Sequence, residues 1–338
     1  MDEKKNRLAI ERLTALWALN ECGLGGFMHA FSSPFTGIIV GGISILLISL
    51  IAFYAKNTWV TLLKALSIVL LVKLSVSPHS PITAYVAVSF QAFFGAIVFS
   101  LFTVRPFTIL LLGGITFLES AVQKLLVLTV LYGQSLWQAL DVYGLWVSDK
   151  LAFLPITISS RLLMLLFVCF YFLSGIVVGF LITRTISIIK LTDQSSLDYV
   201  PKSIHIEERS EKKSFLPKKI LLFWGITLFI ILIPILLFDT KYGGLEKGIY
   251  ILARSFLILF LWYFIVGPLL LKGLNKILAK SKSQYQTDIR NTLDLFPYLR
   301  DLIRQAWQDS KVHRGRNRMQ HFLAKSIVYS IHFNVPKK

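Results

Sequence analysis

The chain has 338 residues, of which 55% are hydrophobic and 16% are charged, and its formal net charge is +18. Soluble domains carry about 25% charged and about 45–50% apolar residues, so this composition excludes an ordinary soluble domain, a disordered chain and a collagen. The apolar residues come in runs of about 20, long enough to cross about 30 Å of hydrocarbon as helix. Only two cysteines occur, both within such runs, which excludes a disulfide-stapled secreted scaffold. The sequence therefore predicts an all-α polytopic membrane protein.

Eight apolar segments are long enough to span a membrane, namely 12–31, 35–55, 58–76, 83–104, 106–133, 161–186, 220–239 and 247–271. The first is the weakest, because polar side chains interrupt it. With the N-terminus in the cytoplasm, most lysines and arginines fall on the inner side, as the positive-inside rule requires. The outer loops then receive only Lys150, Arg161, Lys241 and Lys247. We therefore expect eight spans with both termini in the cytoplasm.

A polar segment divides the chain into two parts. Residues 191–219 contain two prolines and mix both charge signs, and loops of this length are uncommon inside compact units. We expect a cytoplasmic linker here. A six-helix membrane domain, 1–190, precedes it, and a two-helix membrane part, 220–271, follows it. The remainder, 272–338, forms a basic cytoplasmic tail.

The tail has the periodicity of an amphipathic helix. Apolar residues recur at spacings of three and four between 284 and 312, which is typical of a helix with one apolar face. Pro297 interrupts this pattern and is predicted to start a new helix, since proline suits a first turn and disrupts an interior. A basic amphipathic helix suits a surface of anionic lipid. It equally suits a groove in a partner protein, and the sequence leaves both interpretations open.

Motifs for catalysis and for cofactors are missing from the sequence. It contains no GxxxxGK[ST] phosphate loop, so ATP binding in the usual way is not expected. The glycines Gly37 and Gly41 form a GxxxG helix-packing pattern instead. The histidines lack zinc-ligand spacing, and no serine or cysteine has a recognisable nucleophile setting. We expect no enzyme activity, no cofactor and, since cytoplasmic loops account for the basic charge, no nucleic-acid partner.

Several polar residues fall inside the predicted spans. A charge at membrane depth costs at least about 2.5 kcal/mol and is a functional hypothesis by default. Lys73 lies near the outer end of its span, where its amine is expected to snorkel towards water. Glu119 and Gln123 are four residues apart and share a helix face, and Gln91 adds an amide in the preceding span. These three residues serve either helix packing or a binding site.

The predicted outer loops favour the binding interpretation. Two of them carry His29 and His79, and the third carries Trp137 in a stretch, 136–147, that is predicted to form a short interfacial helix. Together the loops are expected to cap an outward-facing pocket lined by the polar residues of the spans. Aromatic faces with a few convergent polar groups are typical of a site for a small polar molecule.

Residues 1–190 resemble the substrate-binding S component of energy-coupling factor (ECF) transporters, a class of ABC importers for vitamins. The resemblance lies in the six predicted spans, the cytoplasmic ends, the loop-capped outer face and the runs SPHSPITAYVAVSFQAFFGAIVF and LESAVQKLLVLTVLYG. Residues 215–338 resemble the end of the coupling T component in the same transporters. The match is FPYLRDLIRQAWQDSKVHRGR, in which His313-Arg314-Gly315 stands where the family has Ala-Arg-Gly.

The resemblance implies a function and a set of partners. It implies a subunit in a prokaryotic cytoplasmic (inner) membrane that captures a vitamin-like solute outside and couples to separate cytoplasmic ATPase subunits, which bind the ATP. The coupling positions carried over are Pro297, Arg304, Arg314 and Gly315. Only two spans precede this helix, fewer than T components usually have, so further membrane subunits join the expected partners. The alternative is a scaffold that keeps the fold and binds proteins instead of a solute.

Overall fold

The computed structural model describes residues 3–30, 36–77, 80–150, 158–195, 256–270, 272–273, 276 and 284–333. Within these ranges all regular structure is helical and no strand occurs, as the composition predicts. The chain divides into two compact units. The first comprises Met1–Lys124, Leu163–Ile206 and Leu270–Lys338, and the second comprises Leu125–Leu162 and Glu207–Leu269.

The helices before the predicted linker are α1 (Glu3–Leu19), α2 (Gly25–Ala30), α3 (Thr36–Tyr54), α4 (Thr58–Val76), α5 (Ile82–Phe102), α6 (Pro106–Tyr132), α7 (Gln134–Lys150) and α8 (Ser160–Ser195). Those after it are α9 (Phe256–Leu270), α10 (Gln286–Asp309) and α11 (Gly315–His332). Five helices in the described ranges are long and apolar enough to cross a membrane: α3, α4, α5, α6 and the part of α8 up to Ile189. They coincide with the second to sixth predicted spans, and they are compatible with an integral membrane protein.

The first predicted span, 12–31, has a different construction. It consists of the end of α1, a π-helical turn at Asn20–Leu24 and the short helix α2. One side of α1 is enclosed by protein, with Leu13 and Trp17 fully buried. The predicted span 220–239 lies outside the described residues, and the last span is described only from α9 onwards. The count of eight spans and the cytoplasmic termini therefore stay predictions.

Local side-chain chemistry sets where two of the spanning helices begin. The side chain of Asn57 accepts a hydrogen bond from the backbone N–H of Val60 and caps α4, as asparagine does at helix N-termini. Helix α6 opens with Pro106 in its first turn, where the missing N–H is not needed. The hydroxyl of Thr108 accepts the N–H of Arg105 beside it. The connections from α3 to α4 and from α5 to α6 are therefore short and fixed by these hydrogen bonds.

Two glycines bring α6 and α8 into backbone contact. A Cβ on Gly113 would collide with the carbonyl oxygen of Gly175, and a Cβ on Gly175 would collide with that of Gly113. Small residues permit such close approach between membrane helices. The predicted Gly37–Gly41 pattern serves packing at one residue only: a Cβ on Gly41 would lie 3.1 Å from Gln91 Nε2, whereas Gly37 has nothing within 4 Å.

The tail folds into a helical hairpin of α10 and α11 that packs against α1 and α4. Its predicted apolar face is confirmed, because Leu299, Leu302 and Ala306 are almost fully buried. The prediction that Pro297 starts a new helix is wrong, since α10 runs through it. Proline removes one backbone hydrogen bond from a helix interior. Packing of α10 on α1 and α11 along its length holds the helix in spite of that loss.

Candidate functional site

A buried ion pair lies where the π-helical turn meets α3 and α4. Glu21 Oε2 is 2.8 Å from Lys73 Nζ, and the two side chains are only 4% and 2% exposed. The hydroxyl of Ser44 donates a 2.7 Å hydrogen bond to the other oxygen, Glu21 Oε1. Tyr85 places its ring 5.6 Å from the Lys73 ammonium. Both charges are therefore neutralised and hydrogen-bonded out of contact with solvent.

An amide ties the same turn to α3. Asn20 Nδ2 donates 3.0 Å hydrogen bonds to the backbone oxygen of Val40 and to Ser44 Oγ, so the nitrogen end of this amide faces α3. The oxygen end, Asn20 Oδ1, is buried without a hydrogen-bond partner. The π-helical turn thus directs two consecutive polar side chains into the protein. Such turns occur frequently at functional sites.

The expected snorkelling of Lys73 is wrong, because its amine ends on Glu21 inside the protein. Sequence reasoning missed the pair because its members are 52 residues apart, and periodicity carries no information about which helices meet. One signal was present in the sequence. Glu21 and Lys73 have opposite charges, and their predicted spans, 12–31 and 58–76, both run from the inner to the outer side of the membrane. The Glu21 carboxylate neutralises the Lys73 amine inside the protein, so this side chain does not reach for water.

Of the predicted pocket residues, three lie on α5 and α6. Gln91 is 4% exposed, and its Oε1 has no hydrogen-bond partner. Glu119 is half-buried, and its Oε2 is likewise buried without a partner. Gln123 Nε2 donates a 3.0 Å hydrogen bond to the backbone oxygen of Thr83. The amide of Gln123 therefore serves packing, whereas the other two side chains keep an acceptor unused.

Two contacts define the antiparallel register of α5 and α6. Gln123 bonds to Thr83, and a Cβ on Gly95 would lie 3.6 Å from the Leu112 side chain. In this register Gln91 lies about one helical turn, about 5.4 Å along the axis, from the level of Glu119. Gln91 is four residues from Gly95 on α5, and Glu119 is four residues from Gln123 on α6, so both share the face that meets the other helix. The two unused acceptors therefore belong to one groove between the two helices.

The predicted loop residues are distributed differently. His29 lies in α2, where the structure does not describe its side chain, and His79 lies outside the described residues. Trp137 is half-buried on α7, a helix that includes the predicted interfacial stretch 136–147. In the same unit Asp141 Oδ1 accepts a 2.6 Å hydrogen bond from the backbone N–H of Ser160. That bond lowers the pKa of the Asp141 carboxyl.

The predicted coupling residues cluster around the hairpin turn. Arg314 is exposed and immediately precedes α11, and Gly315 takes the left-handed conformation, with φ of 56°, that glycine adopts without strain. Arg304 is exposed on α10 and lies 4.0 Å from Asp301. Pro297 lies more than two turns before the end of α10. Only Arg314 and Gly315 therefore lie at the tip of the hairpin.

Sequence reasoning missed two ring contacts beside this tip. The guanidinium of Arg318 lies 4.3 Å from the ring centroid of Trp307, a cation–π geometry. The imidazoles of His313 and His321 stack with centroids 3.8 Å apart. Burial is the main cause that lowers the pKa of His321, and the charges of His313 and Lys325 add to it. The tip thus carries basic and aromatic groups in close contact.

A cleft of about 680 Å³ opens between α1, the α3–α4 connection, α4 and the start of α10. Lys64 Nζ and Asp288 Oδ2 form a 2.8 Å ion pair across it, with side chains 46% and 31% exposed. The wall also carries Arg7, Glu11 and Lys56. Neither Gln91 nor Glu119 lines this cleft, so it is a different place from the predicted pocket.

Comparison with known proteins gives no relative: no family model, no curated protein and no solved structure matches the chain. Among the residues that the structure describes, no group of three histidine, cysteine or acidic side chains could hold a metal ion.

Proposed function

We propose that the chain is a membrane subunit of an ECF-type importer in a prokaryotic cytoplasmic membrane. It captures a small polar solute from outside and couples through its tail to separate ATPase subunits. One observation carries the proposal: a single compact unit holds unused buried acceptors among its apolar helices and a basic hairpin packed on α1 and α4. A capture site and a coupling element in one unit are what such a subunit needs.

The polar atoms among the spanning helices support the capture step. Most buried polar groups in proteins have a hydrogen-bond partner, and an exception calls for an explanation such as a missing ligand. Gln91 Oε1 and Glu119 Oε2 are two such exceptions in one groove. The carboxylate is also expensive to keep inside a membrane helix unless it has a task. Solute binding supplies that task.

The hairpin supports the coupling step. Arg314 is exposed at the turn, directly before a glycine with positive φ. An exposed guanidinium at the tip of a hairpin can hold a carboxylate of a partner with two parallel hydrogen bonds, which an amine cannot do. The hairpin contacts α1, which leads into the turn that carries Glu21, and α4, which carries Lys73. A force on the tip would therefore reach both members of the ion pair.

The test is purification of the chain from native membranes. We expect ATPase subunits and a small molecule to co-purify, and mass spectrometry to identify both. Arg314→Lys should release the ATPase subunits, and Arg314→Ala should release them more completely, because loss of a buried charged contact costs about 2–5 kcal/mol. Arg316→Lys is the matched control, an exposed arginine of the same turn. It should retain the partner.

A lipid-binding tail gives a different result. Anionic lipid attracts each basic residue as a point charge with about 1 kcal/mol, so Arg314→Lys would then change nothing. Equal partner retention by the wild type and Arg314→Ala would overturn the coupling role and leave a basic tail on the membrane surface.

The alternative function, a membrane scaffold that binds only proteins, is favoured by a specific observation. Glu21 and Lys73 satisfy one another, Gln91 is 4% exposed, and the cleft of about 680 Å³ lies elsewhere. A scaffold would co-purify protein partners without any small molecule. Mass spectrometry of the purified complex distinguishes the two functions directly.

A further inference from the structure

We propose that the groove between α5 and α6, at Gln91 and Glu119, binds the positively charged end of a solute that donates several N–H bonds. The chemical class is a primary ammonium, an amidinium or a guanidinium. This inference deepens the proposed function, and it depends on that function for the transport of the solute but not for its binding.

Four amide and ammonium donors of the first unit are already engaged, namely those of Asn20, Lys73, Gln123 and Lys124. Asn20 Nδ2 gives both its hydrogen bonds to α3, and Lys73 Nζ is paired with Glu21. Gln123 Nε2 bonds to a backbone oxygen, and Lys124 Nζ donates to the hydroxyl of Tyr171 and lies over its ring. An acceptor-rich solute, such as a carboxylate, would find none of these groups available.

The unused atoms are acceptors. Gln91 Oε1 and Glu119 Oε2 are buried and lack a hydrogen-bond partner, and an ionised carboxylate only accepts hydrogen bonds. Their residues lie one helical turn apart on facing sides of α5 and α6. A ligand that donates N–H groups to both oxygens removes the penalty of two unpaired buried acceptors. Its positive charge offsets that of the Glu119 carboxylate.

An apolar surface adjoins the Gln91 amide. A Cβ on Gly41 would lie 3.1 Å from Gln91 Nε2 and 3.5 Å from a ring carbon of Phe117, so the amide and the ring both lie against this glycine. An aromatic body attached to the cation is therefore expected to contact Phe117.

Three probes of almost equal shape test the charge preference. Benzamidine is a cation with four N–H donors, benzamide is neutral, and benzoate is an anion. Binding of each to the purified full chain in detergent micelles is measured by isothermal titration calorimetry. We expect benzamidine to bind at least about tenfold more tightly than benzamide, because charge-assisted hydrogen bonds are about twice as strong as neutral ones. Benzoate should show no binding.

Variants locate the site. Glu119→Gln should abolish the preference for benzamidine over benzamide, and Gln91→Leu should weaken benzamidine binding while preserving the preference. Glu11→Gln is the control, because it removes a carboxylate that lines the cleft instead of the groove. It should leave all three affinities unchanged. Thermal unfolding midpoints establish that each variant is folded. If Glu119→Gln does not fold, the loss of benzamidine affinity in Gln91→Leu tests the location of the site.

Two results would overturn the inference. One is benzoate binding as tightly as benzamidine. The other is absence of any preference for benzamidine in the wild type, as expected if water alone occupies the groove. The titration involves no ATPase, so it separates the two proposals. If the chain prefers benzamidine but no ATPase subunit co-purifies with it, the importer function is contradicted and the solute class is not. If ATPase subunits co-purify but the chain does not prefer benzamidine, the solute class is contradicted and the importer function is not.

Discussion

Helix α4 carries two ion pairs of the same length in opposite settings. Lys73–Glu21 and Lys64–Asp288 both have N–O distances of 2.8 Å, but the first pair is 2% and 4% exposed and the second is 46% and 31% exposed. Distance alone therefore says little about what an ion pair contributes. The buried pair has lost its hydration, and the hydrogen bond from Ser44 only partly replaces it. The exposed pair keeps water and contributes little.

The two settings correspond to two different tasks. A buried pair fixes one arrangement of the helices, because separating its charges leaves each of them unsolvated. An exposed pair between α4 and α10 responds to ionic strength and can open at small cost. The Glu21–Lys73 cluster is thus the rigid part of the first unit, and the cleft with the hairpin is its adaptable part.

The largest effect is expected at the buried pair. Lys73→Met leaves the Glu21 carboxylate buried without its cation and should lower the free energy of unfolding by about 3–5 kcal/mol. Titration of the protein in mixed micelles with SDS, followed by circular dichroism, measures this change. A loss below about 1 kcal/mol would show that Glu21 finds another partner or water.

The double variant Glu21→Gln with Lys73→Met sharpens the comparison. Replacing both charges removes the desolvation penalty, so most of the stability lost in Lys73→Met should return. The corresponding double variant at the exposed pair, Asp288→Asn with Lys64→Met, should give a coupling energy near zero. Equal coupling energies at the two pairs would contradict the distinction between them.

An intermediate effect is expected at the start of α4. Asn57→Ala removes the side-chain cap on the Val60 N–H and should cost about 1 kcal/mol. Asn57→Ser, which keeps a capping oxygen, is the matched control and should cost much less. The same SDS titration measures both variants.

A smaller effect is expected at the exposed pair. Lys64→Ala should change the free energy of unfolding by about 0–1 kcal/mol, and the difference from the wild type should disappear in about 1 M salt, where the Debye length falls to about 3 Å. The stability difference caused by Lys73→Met should persist at that salt concentration. Thermal midpoints at low and high salt provide the comparison.

The smallest effect concerns pH at the hairpin. The pKa of His321 is below its ordinary value, chiefly through burial, so the unfolded chain binds a proton more readily than the folded one. The contribution of neutral His321 to the free energy of unfolding is therefore fully present above pH 6.5 and is lost as pH falls below that value. Amides of α11 should exchange hydrogen faster at about pH 5.5 than at about pH 7.5. His321→Phe should remove the difference while keeping a ring against His313.

The five spanning helices were predictable because length and hydropathy are local properties of the sequence. The amphipathic face of α10 was predictable for the same reason, since Leu299, Leu302 and Ala306 repeat at helical spacing. Pro297 was not: a proline ends a helix on average, but packing on both sides outweighs one lost hydrogen bond. Local propensity yields to tertiary contact there.

The candidate site was predictable in its residue types and not in its pairing. Gln91 and Glu119 stood out as polar residues in apolar runs, and both keep an unpaired buried oxygen. The partners of Gln123 and Lys73 could not be read from the sequence, because they are set by which helices pack together. The π-helical turn at Asn20–Leu24 also changes the direction of its side chains, which a pattern based on 3.6 residues per turn cannot predict.

The backbone contact between Gly113 and Gly175 restricts the motion of α6 relative to α8. With no side chain between them, neither helix can slide or rotate against the other without a collision of main-chain atoms. Glu119 lies less than two turns beyond the crossing on α6, whereas α8 continues past it in the opposite sense to Arg184 and beyond. A displacement of that end of α8 is therefore expected to be transmitted to α6, and so to the Glu119 carboxylate, through the crossing. Two residues without side chains thus set the relative position of α6 and α8 in the first unit.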